Sequence, residues 1–301
     1  AMRTALLLAA VLLMPLPGHA GQNCEARKPG AAELRQSLEL AAATAQALDR
    51  SGARVVILAR AGQDLDEYRL RYSHLGIAYR DPAALGGRGA WRVVHKLNQC
   101  GSDRGDLYRQ GLAEFFSDGL FRYQAGLAVL APQVQAAMVP ALADNTRISR
   151  MHEQHYNMLA YPWSTHYQQS NQWAIETMAM LLEPGADDRE HAQAWLRLHD
   201  YRPTTLHIPA IKRLGARIAT AHIAFDDQPF ARRMSGQIDT VTVDSVFEWL
   251  VRSGFAGIPS TIASSPAVGP ARSHRFSDPP TSPQHLPQAP GRATQVALGQ
   301  G

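Results

Sequence analysis

Two histidines lie in segments that are typical of neighbouring β-strands. His74 lies in the run of residues 70–79, and His95 lies in the run of residues 91–98. Alternate side chains of a strand share one face, so each strand can offer an imidazole to the same side of a sheet. Gly76 leaves open space beside the first of these rings. Because imidazole exchanges protons near neutral pH, the pair is a candidate for general acid–base chemistry.

Ser170 is the candidate nucleophile. It lies in the polar run of residues 168–172, directly before the helix-forming run of residues 173–182. Free backbone N–H groups at a helix start can hold an oxyanion. In this reading Ser170 attacks, His74 takes its proton and His95 orients His74, which is the chemistry of an amide or ester hydrolase or an acyltransferase. A serine at a helix start is also a common cap, and a strand histidine is also a common core residue.

Two other readings use the same part of the chain. The first is a site that binds a ligand without catalysis. Its expected ligand-binding residues are aromatic and amide side chains, namely Tyr72, Trp163, Asn171, Gln172 and Trp173. The second is a metal site, for which the available ligands are His152, Glu153, His155 and His166. We expect the protein to hold no metal and no cofactor.

The elements around these residues predict an α+β fold, in which a small antiparallel sheet packs with helices. The predicted strands are residues 54–61, 70–79, 91–98 and 123–130. The predicted helices are residues 31–50, 107–116, 132–142, 173–182, 188–198, 209–225 and 245–251. Ser245 and Glu248 have the spacing of a capping box at the last helix.

The N-terminus has the pattern of a secretory signal peptide over residues 1–20. Arg3 is followed by about ten apolar residues, and small residues precede a cleavage point near Ala20. Ten apolar residues are too few to cross a bilayer, which needs roughly 20. The expected location is therefore the periplasm, with a mature chain that has no transmembrane segment.

The two cysteines of the chain, Cys24 and Cys100, are expected to form a disulfide after export. The alternative is that one of them is a catalytic thiol. Residues 21–256 read as a single globular domain. Residues 257–301 are rich in Pro and Ser without periodicity, which predicts a disordered tail.

Charge argues against nucleic acid as a partner. The formal net charge is +4, and it falls to +3 once Arg3 leaves with the signal peptide. The basic residues are scattered along the chain, so they form no continuous electrostatic footprint. The expected partners are a peptidoglycan fragment, a lipid or another envelope protein.

Three strings carry a resemblance to a known family: SHLGIAY, WRVVHKLNQCGSDRGDLYRQGLAEFF and YNMLAYPWSTHYQQSNQWAIETMA. Together with TVTVDSVFEWL they resemble the bacterial domain-of-unknown-function family 2145, up to about Gly254. That family brings no established activity with it.

A more distant similarity is to the circularly permuted, papain-like NlpC-type superfamily. Its members carry a histidine on one strand, a polar residue on the next strand and a nucleophilic cysteine at the start of a later helix. His74 and His95 match the first two positions, and Ser170 stands in the place of the cysteine. The resemblance implies a permuted papain-like fold with a cleft at these residues. The missing cysteine favours binding over catalysis.

Overall fold

The computed structural model describes residues 29–87, 89–219 and 222–264, and its centre is a six-stranded sheet. The strand order is β4-β3-β2-β1-β5-β8, and every neighbouring pair is antiparallel. The strands are β1 (Val55–Ala61), β2 (His74–Asp81), β3 (Ala90–Asn98), β4 (Gly105–Gly111), β5 (Arg122–Val129) and β8 (Ser260–Ala263). A second sheet pairs β6 (Thr204–His207) with β7 (Gln237–Thr240).

Within the described residues, nine α-helices surround these sheets. They are α1 (Ala31–Ser51), α2 (Leu112–Phe116), α3 (Pro132–Leu142), α4 (Asn145–Ser149), α5 (Ser170–Leu182), α6 (Arg189–Leu198), α7 (Ala210–Ala219), α8 (Phe230–Met234) and α9 (Val243–Arg252). The mixture confirms the predicted α+β class with an antiparallel sheet. No helix in the described part of the chain is both long and apolar enough to span a membrane.

The large sheet is buried on both faces. One face packs against α1 and α2, through a core that contains Leu40, Leu58 and Phe115. The other face packs against α3 and α5, through a core that contains Ile77 and Trp173. All seven residues of β1 are buried, which is the pattern of a central strand covered on both sides.

Two predicted boundaries are wrong. The helix expected over residues 107–116 is a strand, β4, followed by the single helical turn α2. A tail over residues 257–264 is wrong, because β8 pairs with β5 and the Ser264 N–H donates to the Tyr123 carbonyl. The globular domain therefore includes residues up to at least 264, and the rest of the predicted tail, residues 265–301, lies outside the described residues.

Two further differences concern helix ends. The last helix begins at Val243, and its capping box joins Thr242 to Ser245 rather than Ser245 to Glu248. The helix expected over residues 209–225 ends at Ala219.

Candidate histidine site

His74 and His95 meet on the face of the sheet that α1 and α2 cover. His74 Nε2 lies 2.8 Å from His95 Nδ1, and both rings are buried. Gly76 makes this contact possible, since a Cβ atom there would lie 3.0 Å from the His95 Cβ and 2.6 Å from Val93 Cγ1. Both imidazoles pack against the ring of Phe115 in α2. The strands thus bring together the two histidines that the sequence singles out.

The hydrogen bonds around the pair determine where each proton lies. Gln110 Nε2 donates to a carboxylate oxygen of Glu114, so Gln110 turns its carbonyl oxygen toward His95 Nε2 at 2.9 Å. A carbonyl oxygen only accepts, so His95 carries its proton on Nε2 and accepts at Nδ1. His74 then donates from Nε2. A neutral His74 therefore keeps a lone pair on Nδ1, an atom without a hydrogen-bond partner in the described part of the chain.

The surroundings keep both rings neutral. Burial, followed by the positive charge of Arg60, lowers the pKa of His74 well below its ordinary value. The same two causes lower the pKa of His95 to about 3. Arg60 is 4% exposed; it binds the Phe115 carbonyl and forms an ion pair with Asp118 at 2.6 Å. Its Nε atom is buried without a partner among the described residues. The site thus combines an uncharged acceptor with a nearby cationic donor.

The structure places Ser170 on the other side of the sheet. Ser170 is the first residue of α5, as expected, but α5 packs on the face opposite to the histidines. The Ser170 hydroxyl lies 3.3 Å from the hydroxyl of Tyr156, and both residues are buried. The expected convergence of Ser170 with His74 and His95 in one cleft is therefore wrong. Strand alternation turns both histidines toward α1 and α2, whereas packing places α5 on the opposite face of the sheet.

The expected ligand-binding residues are mostly committed to internal contacts. Asn171 accepts from the Leu75 N–H at 3.1 Å and donates to the Val241 carbonyl at 3.1 Å. Gln172 donates to Glu176 within α5 at 3.1 Å and to the Pro162 carbonyl outside it at 3.4 Å. Trp173 is fully buried. The first two side chains thus join α5 to its neighbours, and the third fills the core.

The two remaining aromatic residues are also packed. Tyr72 is buried against Phe247, and its hydroxyl lies 3.0 Å from Thr261 Oγ1. Trp163 is half-buried, with the Arg197 guanidinium 4.4 Å above its ring centroid. Tyr72 and Trp163 belong to the core on the α5 side of the sheet. They therefore lie apart from the histidine pair, as the three expected residues of α5 do.

The expected metal-ligand set does not converge. His155 Nδ1 pairs with Glu153 at 2.9 Å, whereas His166 packs against Tyr167. Among the described residues, the one group of metal-ligand atoms that lie close together is Asp187, Asp188 and His191, all of them exposed. The structure therefore does not bring His152, Glu153, His155 and His166 together as one set of metal ligands.

A buried polar network under α5 was missed by the sequence reasoning. Lys96 is fully buried, and its ammonium donates to the carbonyls of Glu153 and Gln168 and to the side-chain oxygen of Gln168. Burial, followed by the charge of Arg189, lowers the pKa of Lys96 to about 7. Glu176 is also fully buried and pairs with Arg189 at 2.8 Å. The sequence carries a signal for this network, because Lys96 and Glu176 interrupt apolar runs. Charged residues are rarely buried without a partner, so their positions indicate a buried pairing.

This network holds the irregular segment of residues 151–169. The guanidinium of Arg189 donates to the carbonyls of Ser164, Thr165 and Tyr167. Gln193 donates to the Ser164 carbonyl at 3.1 Å and to Glu176 at 2.8 Å. Backbone groups that have no helix or strand partner are thereby satisfied by long side chains from the core.

The two processing predictions concern residues outside those described. Cys24 and the signal peptide of residues 1–20 precede residue 29, where the described chain begins. The pairing of Cys24 with Cys100 and the cleavage near Ala20 therefore stay predictions.

Comparisons with known proteins give a family and nothing beyond it. The sequence model of a family described as an uncharacterised protein conserved in bacteria, DUF2145, matches residues 47–250, which is about two-thirds of the chain. No curated protein and no solved structure matches the chain. The similarity to papain-like enzymes therefore rests on the sequence strings alone.

Proposed function

The chain belongs to the bacterial family DUF2145. We propose that it is an exported envelope protein that binds a ligand without covalent catalysis. The binding point is the pair of His74 and His95. The observation that carries this proposal is the directed chain of hydrogen bonds from Gln110 through His95 to His74. It leaves one defined acceptor, His74 Nδ1, for an incoming group.

The chemistry of that acceptor limits the ligand. A neutral imidazole nitrogen accepts a hydrogen bond from a hydroxyl or an amide N–H. Its low pKa disfavours the charged form that would attract an anion. The ligand group is therefore a neutral donor, such as a sugar hydroxyl or a peptide amide. Soluble peptidoglycan fragments carry both groups, and an envelope location would expose the protein to them.

The position of Ser170 supports binding over catalysis. A general base must lie within hydrogen-bond reach of the nucleophile whose proton it takes. Ser170 instead lies beside Tyr156 on the opposite face of the sheet. Burial raises the pKa of Tyr156, so this neighbour stays protonated and does not serve as a base.

The test is a titration of protein labelled with ¹⁵N at its histidines, using soluble fragments from a muramidase digest of peptidoglycan. We expect the Nδ1 resonance of His74 to move on addition of fragments while its Nε2 stays protonated. His74→Gln should lose binding at least tenfold, and Ser170→Ala should bind as the unmodified protein does. An unchanged His74 resonance at saturating fragment would contradict the proposal.

A second measurement separates binding from hydrolysis. A serine-directed phosphonate should leave Ser170 unlabelled, because its hydroxyl pairs with the protonated Tyr156 and lies on the face of the sheet opposite to His74. Labelling of Ser170 that disappears in His74→Gln would overturn the non-catalytic reading and restore the hydrolase alternative.

A further inference from the structure

Large hydrophobic side chains are exposed together on two helices far along the chain. Ile211 and Leu214 of α7 are 76% and 57% exposed, and Phe230 and Met234 of α8 are 69% and 64% exposed. Eleven large hydrophobic side chains are exposed in the described residues, and these four lie within a stretch of 24 positions. Single exposed apolar residues are ordinary, whereas a group of them indicates an interaction site.

The second sheet brings one end of each helix together. β6 leads into α7, and α8 leads into β7, so the pairing of β6 with β7 brings the start of α7 to the end of α8. At the join, the Ile208 N–H donates to the Gly236 carbonyl at 2.9 Å. The Arg213 guanidinium donates to the Ile208 carbonyl and lies close to Gly236. Ile211 and Met234 therefore each lie within one helical turn of the hydrogen bond between Ile208 and Gly236.

The spacing on each helix gives one apolar stripe. Ile211 and Leu214 are three positions apart, and Phe230 and Met234 are four positions apart, so each pair shares a helix face. The small core below this region includes Ile208, Ile238 and the half-buried Ala216 of α7. Since α7 meets that core through Ala216, the stripe of Ile211 and Leu214 is left to solvent.

Basic residues accompany the apolar side chains on both helices. Residues 209–236 contain five Lys or Arg residues and two Asp residues, and therefore carry most of the chain's net charge of +4. Lys212 forms an exposed pair with Glu67, and the Arg233 guanidinium lies 5.7 Å from the centroid of the Phe230 ring. Exposed pairs of this kind are weak and can exchange for another anion.

We propose that α7 and α8 form a docking surface for an anionic lipid bilayer. Apolar side chains with Lys and Arg beside them on a helix are the chemistry that enters the headgroup boundary of such a membrane. A second copy of this chain fits less well, because two basic surfaces would repel each other. The surface shares no residue with the histidine site, so it does not depend on the proposed ligand.

The test is flotation of the full mature protein with vesicles of phosphatidylglycerol and phosphatidylcholine, compared with vesicles of phosphatidylcholine alone. We expect binding to the anionic vesicles that weakens as salt is added. Ile211→Ser with Phe230→Ser should reduce it at least tenfold, and Lys212→Glu with Arg233→Glu should do the same. The matched control is Leu198→Ser with Ile258→Ser, since these side chains are 82% and 88% exposed elsewhere on the surface.

Thermal melting of each variant distinguishes a lost surface from a lost fold. Ile211, Phe230 and Lys212 are exposed, and the half-buried Arg233 makes one long hydrogen bond, to the Phe225 carbonyl at 3.3 Å, so both variants should melt close to the unmodified protein. Equal flotation of the patch and control variants would overturn the proposal. Self-association without vesicles that the patch variants abolish would overturn it too, by making the surface an interface between copies.

Discussion

At the scale of single residues, the histidine pair makes the protein sensitive to acid. His95 has a pKa of about 3 in the folded protein, against an ordinary value of 6.5, and the pKa of His74 is also lowered. In the unfolded chain these histidines bind protons below about pH 6.5, whereas in the folded protein His95 stays neutral down to about pH 3. The stability due to the neutral pair is complete above pH 6.5 and is lost as the pH falls toward 3.

We predict that the free energy of unfolding falls between pH 6.5 and 4.5, by about 1.4 kcal/mol per pH unit for each histidine at most. Urea denaturation at a series of pH values measures this slope. His74→Gln with His95→Gln should flatten the slope, whereas His207→Gln, at an exposed position, should leave it in place. The same slope in all three proteins would show that other groups cause it.

The sequence predicts the contact between the two histidines but not the position of Ser170 relative to them. Strand alternation tells which side chains share a face, and Gly76 marks the close approach. It does not tell which face a helix will cover when both faces are apolar. β1 is buried at every position, so its sequence carries no polarity that distinguishes one face from the other.

At the scale of elements, the segment of residues 151–169 depends on the side chains beneath it. We predict that Arg189→Met lowers the free energy of unfolding by about 3–5 kcal/mol, because it leaves Glu176 charged and unpaired in the core. Urea denaturation measures the loss, and limited proteolysis should show new cleavage within the segment. Arg35→Met, which removes the exposed pair with Glu39, is the control and should cost less than about 0.5 kcal/mol.

An Arg189→Met protein that is as stable as the control would contradict this account of the network. Glu176→Gln with Arg189→Met removes both charges, so it should recover part of the loss.

The sequence predicts helices and strands correctly where its apolar residues follow a regular pattern. The amphipathic pattern of α1 and the apolar run of β1 are read correctly. β4 is missed because Leu107, Tyr108 and Phe115 have the spacing of one apolar helix face. The boundary between β4 and α2 is defined by the pairing of β4 with β3, which the sequence does not show. β8 is missed because an edge strand of four residues within a Pro- and Ser-rich stretch has too little periodicity to distinguish it from a tail.

The position of β8 gives a second prediction at this scale. A chain ending at residue 264 should melt with the full-length protein, whereas one ending at residue 256 should melt lower. The shorter chain loses the ladder between β5 and β8 and leaves β5 as an unpaired edge. Calorimetry of the two truncations tests this. Equal melting temperatures would mean that β8 contributes nothing, and two lowered ones would mean that residues 265–301 also pack on the domain.

At the scale of the whole molecule, the predicted disulfide would tie the N-terminal segment to the sheet. Cys100 follows β3 directly, and Cys24 precedes α1. In the chain-entropy view, closing a loop of about 75 residues stabilises a fold by roughly 4 kcal/mol.

We predict that protein from the envelope fraction contains the bridged peptide and that reductant lowers its melting temperature. Mass mapping without reduction identifies the peptide. Cys100→Ser should melt like the reduced protein, and reductant should not change it further. Two free thiols in protein isolated from the envelope would contradict the prediction.

The network of Lys96, Gln168, Glu176, Arg189 and Gln193 has a consequence for how the family can diverge. Its partners lie up to 72 positions apart in the chain, yet each one neutralises or satisfies another in the core. A single substitution leaves a buried charge or carbonyl without its partner. Selection should therefore favour replacement of the other members in a lineage that has changed one. We expect relatives of this chain to inherit the five residues as a block or to have replaced them together, with the segment of residues 151–169 altered in the same lineages.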